Sequence, residues 1–183
     1  MINASMPSPI GHALAGVATA WTADLLDGSA GRRMAFFTRR TLICAALAAL
    51  PDADLVAHAA LHRSVTHSLV ATIAITIVAA AVTAWVTRRD AWKVAAICGA
   101  AYATHLLLDW LGSDPSSPQG IQLFWPFNKR SYISGWDLFR RTERRQWWTV
   151  RAMMRNAEAA AQELAILGPV LLALRSLRQR RPS

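Results

Sequence analysis

Eight side chains in this 183-residue sequence have the types and spacing to hold a metal ion or move a proton: His12, Asp52, Asp54, His62, His67, His105, Asp109 and Glu163. His105 and Asp109 are four apart, which on a helix sets an imidazole and a carboxylate on one face, where both can grip one cation. Asp52 and Asp54 follow Pro51, which breaks a helix and leaves irregular backbone from which two carboxylates can enter a common cavity. His67 stands at a helix start between Thr66 and Ser68, either of which can cap the free amides. The set mixes nitrogen and oxygen donors without a thiolate. That chemistry suits zinc, or manganese or iron, rather than a closed structural zinc site, which favours cysteine. A catalytic zinc takes three protein ligands. Seven candidates (His12, Asp52, Asp54, His62, His67, His105 and Asp109) therefore predict two ions, or one ion with a large outer shell. Asp54 or Glu163, if left unligated, is the candidate general base. Arg63 is either a snorkelling residue or a clamp for an anion.

The elements that must carry these residues are apolar. Apolar residues make up 54% of the chain and charged residues 17%, yet the net charge is +9. Disorder is excluded by the first figure, and two cysteines exclude a disulfide scaffold. Ser68 to Thr87 carries no charge over twenty residues, about the length that crosses a bilayer's hydrocarbon, and shows no polar stripe. Ala91 to Leu111 is long enough to span, and Trp85, Trp92 and Trp110 sit where a headgroup belt of tryptophan is found. Three further apolar runs are short or interrupted: Ile10 to Leu26, Leu42 to Leu61 broken at Pro51, and Leu164 to Leu174 with Gly168-Pro169 inside it. The reading is a single all-α domain over 1–183, a small multi-pass membrane bundle of about five helices, two of them clear spans. Ala18-Thr19-Ala20 has the form of a signal-peptidase site, but no Lys or Arg precedes the apolar run, so a cleaved signal is not expected.

Ionisable residues in such segments are costly and are functional candidates by default. If all five helices cross, His12, Asp52, Asp54, His62, His67, His105, Asp109 and Glu163 fall at one membrane face, with Glu163 opening the last helix. The positive-inside rule, weighted to short loops, puts the opposite face in the cytoplasm. A cytoplasmic Trp136 segment reverses that assignment. Gly112 to Gly135 is a long irregular loop. Trp136 to Ala157 is basic and tryptophan-rich and predicts a helix lying on anionic headgroups, which makes membrane lipid a partner. Asp24, Asp27 and Asp90 are expected to be solvated, His58 to be structural, and Cys44 and Cys98 to be packing residues.

Four blocks carry a family resemblance: PIGHALAG around His12, LPDAD at Leu50 to Asp54, HRSVTHSL at His62 to Leu69, and HLLLDWLGSDPSSPQGIQLFWPF from His105 to Phe127. In these the chain resembles the YdjM-type family of bacterial inner-membrane metal-dependent hydrolases. The resemblance implies a multi-helix inner-membrane protein with a metal-dependent hydrolase site, carried over to His12, Asp52, Asp54, His62, His67, His105 and Asp109. Glu163 matches loosely. Ser64 stands where the family often has Gly, and Leu55 where it often has His. The ordered His and Asp pattern is also similar, distantly, to helical zinc phospholipase C and P1-nuclease enzymes.

The expected activity is metal-activated water attacking an ester, with a small-molecule, phosphorylated or lipid-linked substrate. The alternative is a non-enzymatic metal-binding membrane protein with a regulatory or transport role. The uncharged Ser68 to Thr87 run argues against a soluble nucleic-acid binder, so no nucleic acid is expected.

Overall fold

The computed structural model describes residues 6–28, 36–57, 62–88, 90–115, 117–144 and 146–180. His58 lies outside them. The described chain is all-helical: α1 (Pro9–Leu26), α2 (Arg39–Ala49), a 3-10 turn (Leu50–Ala53), a single-turn α3 (Asp54–Ala57), α4 (Leu69–Val86), α5 (Ala91–Leu111) and α6 (Val150–Arg180). Three starts are set by short polar side chains that accept from orphan amides. Ser8 caps α1 through Gly11 N, Thr38 caps α2 through Thr41 N, and Ser68 caps α4 through Ala71 N. Of the two cap candidates beside His67, Ser68 is the one used, which frees Thr66 for other bonds.

Helix α1 is the axis of the bundle and packs against α2, α5 and α6. Its apolar face builds a core of Val17, Ala20 and Trp21 with Cys44 of α2, Ala101 of α5 and Leu171 of α6. The helices approach closely because glycine faces backbone. A Cβ on Gly16 would lie 2.3 Å from the Cys44 carbonyl oxygen. Among the described elements, helix α4 packs chiefly on α5. None of its residues is buried, and Ile73, Ile77, Val78 and Val82 are exposed. An apolar face of that size is unfavourable in water and at home in hydrocarbon. The hydroxyls of Thr72 and Thr76 bond the carbonyls of Ser68 and Thr72 one turn back, so neither is left unsatisfied in lipid.

Helices α4, α5 and α6 are long and apolar enough to cross a membrane. The structure corrects two expectations here. The predicted interfacial helix over Trp136 to Ala157 does not form as a unit: the described residues up to Thr149 are irregular, and the remainder is the start of α6. Arginines crowd the 136–149 stretch, and the strap it forms is held instead by long-range bonds. Thr142 bonds the Met6 carbonyl through both N–H and hydroxyl, and Glu143 exchanges bonds with Asn156. Glu163, for its part, does not open a helix but lies inside α6, which runs for 31 residues straight through Gly168-Pro169.

The Gly112–Gly135 loop is irregular, as read from its composition. It folds back on itself through the Ile121 and Tyr132 pair, with Ile121 fully buried beneath it. Gly120, at φ +86°, is required there, because a Cβ would meet the Tyr132 carbonyl oxygen at 2.1 Å.

Candidate metal centre

His12 comes from the first turns of α1, Asp52 from the 3-10 turn after α2, His67 from the residue before the α4 cap, and His105 and Asp109 from the last turns of α5. They converge at one end of the bundle. His12, His67, His105 and Asp109 are fully buried, and Asp52 is 9% exposed. Around Asp109, the Nε2 atoms of His12, His67 and His105 lie 3.4, 3.5 and 3.1 Å from a carboxylate oxygen. Asp52 Oδ1 lies 3.8 Å from Nε2 of both His67 and His105.

The histidines are oriented from behind. His105 Nδ1 donates to the Ala48 carbonyl at 2.7 Å, and His62 Nδ1 donates to Asp54 Oδ1 at 2.7 Å. Thr66 Oγ1 donates to Asp54 Oδ2, since a carboxylate only accepts, so it must accept from His67 Nδ1 at 2.9 Å. Each of these rings therefore carries a proton on Nδ1 and, in its neutral form, presents an Nε2 lone pair. His67 and His105 bring these two lone pairs to 3.1 Å of each other. Two acceptors at that distance repel unless a proton or a metal ion lies between them. Two ligands of a tetrahedral zinc, each about 2.0–2.1 Å from the metal, sit roughly 3.3 Å apart. His12 stacks on His105 with centroids 3.7 Å apart, a close contact for two protonated rings and an ordinary one for neutral ligands.

Several buried polar atoms have no hydrogen-bond partner: both ring nitrogens of His12, His62 Nε2, and both oxygens of Asp109. Buried polar atoms are normally satisfied. These belong to two triads, His12/His105/Asp109 and Asp52/His62/His67, in each of which one ligand atom per residue lies within 4.8 Å of the others. The donor set thus fits a divalent cation. Burial holds His67 below the usual imidazole range, against the pull of Asp52, and so keeps it in the neutral form that ligates. Burial pushes the other way on Asp52 and Asp54. The His67 ring and the Arg144 guanidinium nevertheless hold Asp52 below the usual carboxylate range, and His62 and Thr66 do the same for Asp54.

The other candidates sit around this centre. Asp54 stands behind His62 and His67 and holds both. Arg63, in a left-handed conformation at φ 72°, pairs with the buried Asp114 at 2.7 Å. Asp114 also accepts from Gly120 N, so Arg63 ties the histidine turn to the 112–135 loop. Glu163 accepts from Ser8 N and Ser8 Oγ, and it fills the space that a Cβ on Gly11 would occupy. It fastens α6 to the start of α1 beside His12.

Sequence reasoning passed over Thr66, Asp114 and Arg144. Thr66 is inside the HRSVTHSL block, and its adjacency to His67 was the available signal. Arg144 looked like one arginine of a lipid-facing cluster but bonds Asp52 at 2.9 and 3.2 Å. Asp24, expected in solvent, is fully buried at the other end of α1, between Arg40 at 2.8 Å and Arg178 at 3.0 Å. An uncompensated charge there would cost several kcal/mol, about 3–5 by analogy with other broken buried pairs.

A helical bundle with membrane-length apolar helices and a buried His/Asp centre at one end defines a small membrane protein with a candidate metal site. The chain belongs to the YdjM inner membrane protein family, whose family model matches residues 6–181. Among curated proteins and solved structures, no match was found.

Proposed function

We propose that this protein is a multi-pass bacterial inner-membrane hydrolase that uses one or two divalent ions, zinc before manganese or iron, to cleave an ester. One observation carries the reading. His67 and His105 are each locked through Nδ1, and their Nε2 atoms face the buried Asp109 carboxylate and one another at ligand spacing. A single ion would sit between His67 and His105 against Asp109, and two ions would divide as His12, His105 and Asp109 for one and Asp52, His62 and His67 for the other. A divalent ion there supplies a Lewis acid that makes water nucleophilic near neutral pH and stabilises charge on the ester oxygen. The chain's own residues set the rest. Asp54 and Thr66 fix the ring orientations. Asp52, at the less enclosed edge, faces both the histidines and solvent.

The test is hydrolysis by detergent-purified protein, stripped with chelator and reloaded with zinc, manganese or iron. The substrates are phosphomonoesters, phosphodiesters, phospholipids and carboxylic esters. Cleavage that disappears with the metal and returns with it is expected. The complete burial of four ligand candidates favours a second reading, a closed metal site with a regulatory or transport role. Metal-loaded protein that cleaves none of these substrates would select it.

The Thr66 relay makes a separate prediction. Thr66→Val removes the hydroxyl that links Asp54 to His67 and keeps the side-chain shape. Metal affinity should fall by about tenfold, at the low end of the 10–100-fold typical of such outer partners. A competition titration against a metallochromic dye reads the change. Unchanged affinity would remove Thr66 from the account.

A further inference from the structure

We propose that Arg144 is the substrate-anion site of this centre, and that the ester cleaved is therefore a phosphoester. The inference rests on the hydrolase reading above and assigns its substrate class. Arg144 comes from the irregular strap that crosses this end of the bundle, and the strap is not loose. Thr142 is fixed to Met6, and Glu143 to Asn156, on the two residues just before it. The guanidinium therefore has a set position. It donates through Nη1 and Nη2 to the two oxygens of Asp52, and through Nη2 to the Pro7 carbonyl at 3.2 Å.

Three properties separate this arginine from a structural one. First, Asp52 is itself a ligand candidate, 3.8 Å from the Nε2 atoms of His67 and His105, so the positive charge lies one residue away from the centre. Second, the side chain is 22% exposed whereas His12, His67, His105 and Asp109 are fully buried. A substrate approaching along the Asp52 edge meets Arg144 before it meets a histidine. Third, its three hydrogen bonds engage three of the five N–H donors of a guanidinium, leaving two for a further acceptor. The two that remain, Nε–H and one Nη1–H, lie on opposite edges of the plane, so each can reach one phosphate oxygen, and paired recognition requires the Nη1/Nη2 fork to pass from Asp52 to the phosphate.

Arg63 does not offer the same chemistry, because its carboxylate partner, Asp114, belongs to the 112–135 loop rather than to the ligand candidates, and its side chain is 8% exposed against 22% for Arg144. The strap also carries Arg140 and Arg141. With Arg155, Ser113, Asp137 and Glu158 they line a surface pocket of about 320 Å³. Three guanidiniums against two carboxylates give that surface a net positive field, which would draw an anion toward the strap.

The experiment uses full-length protein in detergent, loaded with cobalt so that the visible spectrum reports the centre, and titrated with inorganic phosphate. Wild type should bind phosphate with a change in the cobalt spectrum. R144Q should still load with cobalt at saturating metal, although more weakly because Asp52 loses an outer partner, and lose at least about tenfold in phosphate affinity, with R144K falling between, since lysine keeps the charge but not the fork. Two further arms separate the sources of the phosphate. One offers a water-soluble phosphomonoester, and the other offers vesicles of phosphatidylglycerol and phosphatidylethanolamine. Competition by either supports the proposal and names the source. Three results overturn it: phosphate affinity unchanged in R144Q, cobalt lost from both R144Q and R144K, or no phosphate binding by metal-loaded wild type. The last leaves the metal centre standing and removes only the anion site. Wild type that takes up no metal at all removes the hydrolase reading and this proposal with it.

Discussion

Asp109→Asn protein is expected to fold, insert and purify without its metal. Among the described residues, Asp109 is the one near the Nε2 atoms of three histidines, at 3.1 to 3.5 Å, and it is fully buried. Asparagine keeps the volume and one carbonyl oxygen but loses the negative charge. Metal affinity should fall by on the order of 100-fold or more, above the range typical of outer partners, and any hydrolysis should fall with it. The circular dichroism spectrum should not change, because α5 keeps its length and its packing through Leu106 and Leu108. Metal retained at wild-type affinity would mean that the histidines do not close on this carboxylate.

The second large effect concerns stability and reaches the centre through the backbone. Gly16→Ala would place a Cβ 2.3 Å from the Cys44 carbonyl oxygen, 2.7 Å from its carbon and 2.8 Å from Ala45 Cα. None of these is a side-chain end that can rotate aside, so α1 and α2 must separate. Overpacking of this kind typically costs about 1–3 kcal/mol, and a backbone clash belongs at the upper end or above it. Helix α2 leads into the turn that carries Asp52, and its Ala48 carbonyl holds His105. Displacing it should therefore lower both the thermal unfolding midpoint and the metal affinity. A midpoint equal to wild type would show that the two helices are not packed as described.

Much of this arrangement was legible in the sequence. The uncharged Ser68 to Thr87 run and the long apolar Ala91 to Leu111 run gave the antiparallel pair α4 and α5, since hydrocarbon thickness fixes the length of a spanning helix. The four-residue spacing of His105 and Asp109 gave a shared helical face, and the proline before Asp52 gave the break that turns it inward. That α6 also has the length and apolarity to span was not legible. Glycine and proline at 168 and 169 read as an interruption, and the arginines at its start masked the apolar stretch behind them. The strap over Trp136 to Thr149 was misread for a related reason. A helical period can be found in a basic, tryptophan-rich segment, but its backbone bonds go to Met6, Leu111, Ser113, Asn156 and Gln162, all outside the segment's own helical spacing. The same applies to Arg144, Asp114 and Asp24. Their partners lie tens of residues away, and no local spacing announces a long-range ion pair. The roles of Glu163 and Arg63 show the limit most plainly. Their types suited a base and a clamp, while their surroundings couple Glu163 to Ser8 and Arg63 to Asp114.

The central claim is that the buried His/Asp cluster is a metal centre, and elemental analysis of the purified protein tests it most directly. Protein extracted into detergent without chelator, then incubated with zinc, manganese or iron and desalted, should retain one or two equivalents of a divalent metal. The Asp109→Asn protein treated in parallel should retain far less. Wild type that holds no more metal than the Asp109→Asn protein would contradict the account.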